Sequence, residues 1–198
     1  AAPGVAAGVM LWIALAEIGP DSSTALGTPV TVVAMAAGAL VVWASTAVAN
    51  RPTVAAGVAP VIGVALVLHD LPEGLAVGAL LTGTGLAASL PVVVAVAAHN
   101  LPEKLAFVGP ARLEGARLAP VVVAATAPEP VGAALAGAGA SVVPTVLPLV
   151  VAVAGGMMLA VAVGTLPTMA RRAAAWRPFL GAGAMGMLSM AAVTVVTA

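Results

Sequence analysis

The stretch Leu66-Val67-Leu68-His69-Asp70-Leu71-Pro72-Glu73-Gly74-Leu75-Ala76-Val77 decides how this chain is read, because it places a histidine and two acids inside an apolar run. Thirty residues on, His99-Asn100-Leu101-Pro102-Glu103 repeats the pattern, and the two segments contain the only two histidines of the sequence. A histidine and a carboxylate four positions apart share one helix face, so each segment offers two ligand-type groups pointing the same way. Ionisable groups at membrane depth are costly and are read by default as functional. Two copies of so costly a device, on helices adjacent in sequence, point to a metal site built between them.

The surroundings justify the phrase "membrane depth". The chain is 62% hydrophobic and 7% charged, with a mean hydropathy of +1.19, which places it among membrane proteins. Cysteine is absent, so a metal here must use His, carboxylate, amide, Met or water. Net charge is zero and no basic cluster suits a nucleic acid. Heavy use of Ala, Val and Gly suits close approach of helices in a bilayer. Ala1 in place of Met marks the start as trimmed or incomplete, and no leading basic region of a signal peptide is seen.

A spanning helix needs about 20 apolar residues. Pro, Gly and charge divide the chain into seven such segments, 3–19, 28–49, 54–82, 86–109, 117–139, 143–169 and 177–197. The expectation is an all-α, polytopic membrane protein, one transmembrane domain over 1–198 with short connections. Arg51, Arg112, Arg117, Arg171, Arg172 and Arg177 all fall on one side under this alternation, and the connections at 20–27, 83–86 and 140–143 carry no Lys or Arg. The positive-inside rule makes that side cytoplasmic, with residue 1 inside and Ala198 outside.

An internal echo supports a repeat. Gly8, Met10 and Pro20 recur as Gly155, Met157 and Pro167 at a constant offset of 147, although the carboxylates near Glu17 and Asp21 do not. Within the two His–Pro–Glu segments, Pro72 frees the carbonyl of Leu68 and Pro102 that of Ala98, kinking each helix where it can line a cavity. His69, Glu73, His99 and Glu103 then supply two imidazoles and two carboxylates, a set suited to zinc or ferrous iron. Asp70 and Asn100 point about 100° round their helices toward a neighbouring site. Glu129, between Pro128 and Pro130, adds a further intramembrane carboxylate.

Blander readings exist for single residues. A buried His or Glu often only hydrogen-bonds a neighbouring helix, and Met10 can be a gap-filler. Trp12, Trp43 and Trp176 read as interface anchors or packing. Glu17 and Asp21 read as solvated, with a vestibule role as the minority reading, and the arginines as topology signals.

At these motifs the sequence resembles the ZIP family of divalent-metal transporters, in its bacterial branch. His69 to Gly74 and His99 to Lys104 resemble the His-Asn-x-Pro-Glu-Gly motifs of the family's fourth and fifth helices, and Glu129-Pro130 its sixth-helix Glu-Pro. Ala7 to Leu11 and Glu17 to Asp21 resemble the two ends of its second helix. The resemblance implies an eight-helix bundle of which this chain lacks the first helix. It implies a first metal site lined by His69, Glu73, His99, Glu103 and Met10. A second would be lined by Asp70, Asn100 and Glu129, with Glu73 and Glu103 bridging the two. The implied function is import of Zn²⁺, with Fe²⁺, Mn²⁺ or Cd²⁺ as alternatives, across a bacterial inner membrane. No enzymatic activity is implied. The partners are the metal ion and the lipid bilayer, with a homodimer left open and nucleic acid excluded.

The sequence departs from that family at several points. Lys104 stands where a glycine is usual, beside Glu103; it can pair with Glu103 or Glu129, replace a second metal electrostatically, or snorkel to water. Asp70 and Asn100 are swapped between the motifs relative to many bacterial members. Gly164 and Thr168 replace an acidic helix end, and the connection at Arg51 is too short for a histidine-rich loop. Two further classes stand behind transport. An intramembrane metal-dependent enzyme would need a His-Glu-x-x-His spacing that is absent. A retinal-binding seven-helix protein would use Lys104, which lies in the fourth helix rather than the last.

Overall fold

The computed structural model describes residues 2–49, 58–87, 89–90, 93–94, 96–97, 100, 104, 108, 112, 115, 117–142, 146–172 and 174–197. Among them there is helix and turn but no strand. The helices are α1 (Ala2–Trp12), a π-helical stretch at Ile13–Ile18, α2 (Gly19–Leu26), α3 (Thr28–Ala49) and α4 (Val58–Thr84). They continue with α5 (Leu118–Thr126), α6 (Pro128–Val142), α7 (Val146–Ala160), a second π-helical stretch at Val161–Thr165, α8 (Leu166–Arg172) and α9 (Trp176–Thr197).

Five of these helical runs are long and apolar enough to cross a membrane: Gly4–Leu26, Thr28–Ala47, Leu118–Gly139, Pro148–Thr168 and Trp176–Val195. They correspond to five of the seven expected segments. A sixth, 54–82, overlaps the 27-residue α4 over 58–82, and its residues 54–57 and most of 86–109 lie outside the described residues. The expected connection at 20–27 is helical as far as Leu26. Pro20 does not end the helix because the preceding turn widens to receive it. The chain turns instead at Gly27, whose φ of 82° suits a residue without Cβ, and whose N–H donates to the Ser23 carbonyl at 2.9 Å.

That widening occurs twice. Gly19 N–H bonds the carbonyl of Ala14 and Leu166 N–H that of Val161, each five residues back. Each bond lies just ahead of a proline, Pro20 or Pro167, whose ring cannot accept a regular α-turn. The two bonds are related by the same offset of 147 that relates Gly8, Met10 and Pro20 to Gly155, Met157 and Pro167. The echo in sequence is therefore an echo in backbone geometry.

Small residues bring the helices together in pairs. Gly8 lies against the backbone of Gly183 between α1 and α9, and Gly156 against Met35 between α7 and α3. Gly74 and Gly132 join α4 to α6: a Cβ on Gly74 would strike the carbonyl of Glu129, and one on Gly132 the carbonyl of Leu71. Met10, Met158 and Met190 fill the interior. The outside is apolar: Val33 on α3 is 69% exposed and Trp43 67%. Asp70 at 0% and Glu73 at 1% lie wholly inside. Apolar outside with charge inside is the arrangement a bilayer favours over water.

Candidate functional site

α4 buries one stripe. Asp70, Glu73, Gly74, Val77 and Gly78 recur at the spacing of a single helix face and all are buried. The glycines let α6 approach, and beside them sit Asp70, one turn before Gly74, and Glu73, next to it, near the middle of a 27-residue helix. Pro72 lies inside the same turn. On α6 the facing stripe is Glu129, Gly132 and Ala136.

Glu129 owes its place to a break in the chain. The expected helix 117–139 is divided at Ala127, because Pro128 and Pro130 each lack a backbone N–H donor and the first turn of a new helix begins there. The Glu129 carboxylate thus lies in the first turn of α6, where the helix dipole favours negative charge.

Asn100 and Lys104, both helical and four residues apart, close the cluster from a third side. Asn100 Nδ2 donates to Glu129 Oε2 at 2.7 Å. Lys104 Nζ pairs with Asp70 Oδ2 at 2.5 Å, with the lysine side chain 12% exposed and the aspartate 0%. The expected partners of Lys104 were Glu103 or Glu129; the partner found is Asp70, on the helix that the spacing of Lys104 alone could not identify. Lys104 thus meets α4 and Asn100 meets α6. Asn100 Oδ1 is buried and accepts no hydrogen bond among the described residues.

Of the other expected ligands, Glu73 is buried on the same stripe of α4. Met10 is wholly buried in the apolar core of α1. The side chain of His69 and the whole of His99 and Glu103 lie outside the described residues. Among the described residues no group of three or more His, Asp or Glu forms a metal-holding cluster.

Sequence reading missed one polar chain. Trp12 Nε1 donates to Thr194 Oγ1 at 3.1 Å, and Thr194 Oγ1 donates to Glu17 Oε1 at 3.0 Å. Glu17 is thus half-buried in the first π-helical stretch and held by α9, not merely solvated, while Asp21 is exposed. Nothing in the spacing of Trp12 and Glu17 signals a threonine some 177 residues later. Trp176 stacks on Phe179 with centroids 5.6 Å apart and receives Arg171 over its ring at 5.0 Å, so it braces the turn between α8 and α9.

The class these features define is a helical protein of membrane type with a buried, charged, three-sided cluster. No protein-family model matches the chain, and comparison with curated proteins finds no similar sequence.

Proposed function

We propose that the protein is a divalent-metal transporter of the bacterial inner membrane that carries Zn²⁺, with Fe²⁺, Mn²⁺ and Cd²⁺ as alternative cargo, into the cytoplasm. In this reading the bundle has seven spans, with residue 1 cytoplasmic and the C-terminus outside. The ion sheds its water, binds between the two proline-bearing segments through His69, Glu73, His99 and Glu103, and leaves inward by alternating access.

The observation that carries the reading is the burial of Asp70 and Glu73 at mid-helix in a bundle whose outer surface is apolar. Burial of two carboxylates in one turn of an apolar helix is costly, which supports a functional role for that turn. The close approach of α4 and α6 through Gly74 and Gly132 adds Glu129 to the same region. The internal echo, with its paired π-helical turns, supports a transporter architecture built from repeats. The ZIP resemblance of the motifs supports the same cargo.

The test is cellular zinc accumulation with Glu103→Ala. Uptake abolished in a variant that still reaches the membrane folded supports the reading. Normal uptake by that variant removes Glu103 from the site and contradicts the ligand set.

A further inference from the structure

The half-buried Glu17 is held by one hydroxyl that has two acceptors in reach. Thr194 Oγ1 lies 3.0 Å from Glu17 Oε1 and 3.0 Å from the Met190 carbonyl of its own helix, and it accepts from Trp12 Nε1 at 3.1 Å. A threonine hydroxyl carries a single proton, so it serves the carboxylate or the carbonyl fully, not both. The charge on Glu17 decides which, because a hydrogen bond to an ionised group is roughly twice as strong as one between neutral groups.

The other half of the bundle shows the alternative arrangement. The seam of α1 on α9 and the seam of α7 on α3 are built alike: Gly8 meets Gly183 as Gly156 meets Met35, and Gly186 meets Val5 as Gly38 meets Val153. Corresponding residues of the two seams differ by 148 throughout. The same offset pairs Thr194 with Thr46 and Met190 with Val42. Thr46 Oγ1 donates to the Val42 carbonyl at 2.9 Å. Where Glu17 would recur, the chain has Gly164 and Thr165 in place of an acid. With no carboxylate opposite, the threonine bonds its own helix.

We propose that Glu17 is a proton-binding site that fastens the first π-helical stretch to α9. Ionised, Glu17 takes the Thr194 hydroxyl. A proton taken up from water by the carboxylate returns that hydroxyl to the Met190 carbonyl, the arrangement of Thr46, and loosens the seam. The elements packed against the π-helical stretch are α1, α2, α7 and, through Thr194, α9. Asp21 on α2, exposed and four residues on, acts on Glu17 by like charge. α1 and α7 contain no titratable residue, and Arg177 stands at the opposite end of α9 from Thr194. The inference goes beyond metal transport and does not rest on it.

The test is the pH dependence of Tm for the purified full chain in detergent, with Thr194→Val, Glu17→Gln and their combination. At neutral pH Thr194→Val should lower Tm by roughly 3–10 °C, and acid should cut that loss by about half. In the Glu17→Gln background the loss should be small at neutral pH and unchanged in acid. Infrared difference spectra should show a protonated-carboxyl band that grows on acidification and is missing from Glu17→Gln. If Glu17→Gln does not fold, Thr194→Ser serves as the control. It keeps the hydroxyl and should follow the natural chain at every pH, which confines the pH-dependent loss to Thr194→Val. A Thr194→Val loss that acid leaves undiminished overturns the proposal, as does the absence of a Glu17 band over the whole pH range in which the chain stays folded.

Discussion

Asn100 Nδ2 donates to Glu129 Oε2 at 2.7 Å, which ties Asn100 to the first turn of α6. The bond satisfies one oxygen of the Glu129 carboxylate, and beside it Lys104 pairs with Asp70 on α4.

Because the pairing is buried, its halves are not independent. Lys104→Ala, measured without metal, should lower stability by about 3–5 kcal/mol, since it leaves the Asp70 carboxylate inside without its cation. The double variant Asp70→Asn/Lys104→Met should recover most of that loss. Thermal unfolding in detergent reads both, and equal losses for the single and double variants would contradict the pairing.

The α4–α6 contact predicts a contrast between glycines. Gly74→Ala and Gly132→Ala put a methyl against a neighbouring backbone carbonyl and should each cost about 1–3 kcal/mol by overpacking. Gly83→Ala, on the same α4, meets nothing within 4 Å. It should be neutral, or stabilising by up to about 1 kcal/mol from helix propensity. A uniform effect at all three positions would show that the helices do not meet as described.

The polar chain from Trp12 to Glu17 makes its own prediction. Thr194→Val keeps the shape and removes the hydroxyl, and should destabilise by about 1.5–3 kcal/mol because the lost bond ends on a carboxylate. Thr194→Ser should be close to neutral. The fluorescence of Trp12 should shift in the first variant and stay in the second.

Acid should weaken metal binding. Zn²⁺ requires ionised carboxylates and neutral imidazoles, so protons compete with it at every ligand. A zinc titration at successively lower pH should show affinity falling. Affinity unchanged in acid would point away from carboxylate and imidazole donors.

Much of the fold was legible because hydropathy and charge are one-dimensional signals. Segment 28–49 coincides with α3, and 177–197 with α9 to within a residue. Helix ends were less legible. Pro20 looks like a terminator in the sequence, yet a π-turn absorbs it and the helix continues to Leu26. Pro128 and Pro130 fall inside the single expected span 117–139, yet they divide α5 from α6 at Ala127. At the site, residue types and their faces could be read from spacing, since Asn100 and Lys104 lie four apart. Which neighbouring helix each would meet could not. Lys104 meets Asp70 on α4 and Asn100 meets Glu129 on α6, and both meetings are properties of packing between distant segments.

The central claim is that a divalent ion crosses the membrane through the His–Glu site. It is tested most directly by reconstituting the protein in proteoliposomes loaded with a zinc indicator and adding Zn²⁺ outside, with His99→Ala as control. The account predicts saturable influx that the control loses. No influx from folded, inserted protein, or equal influx with His99→Ala, would contradict it.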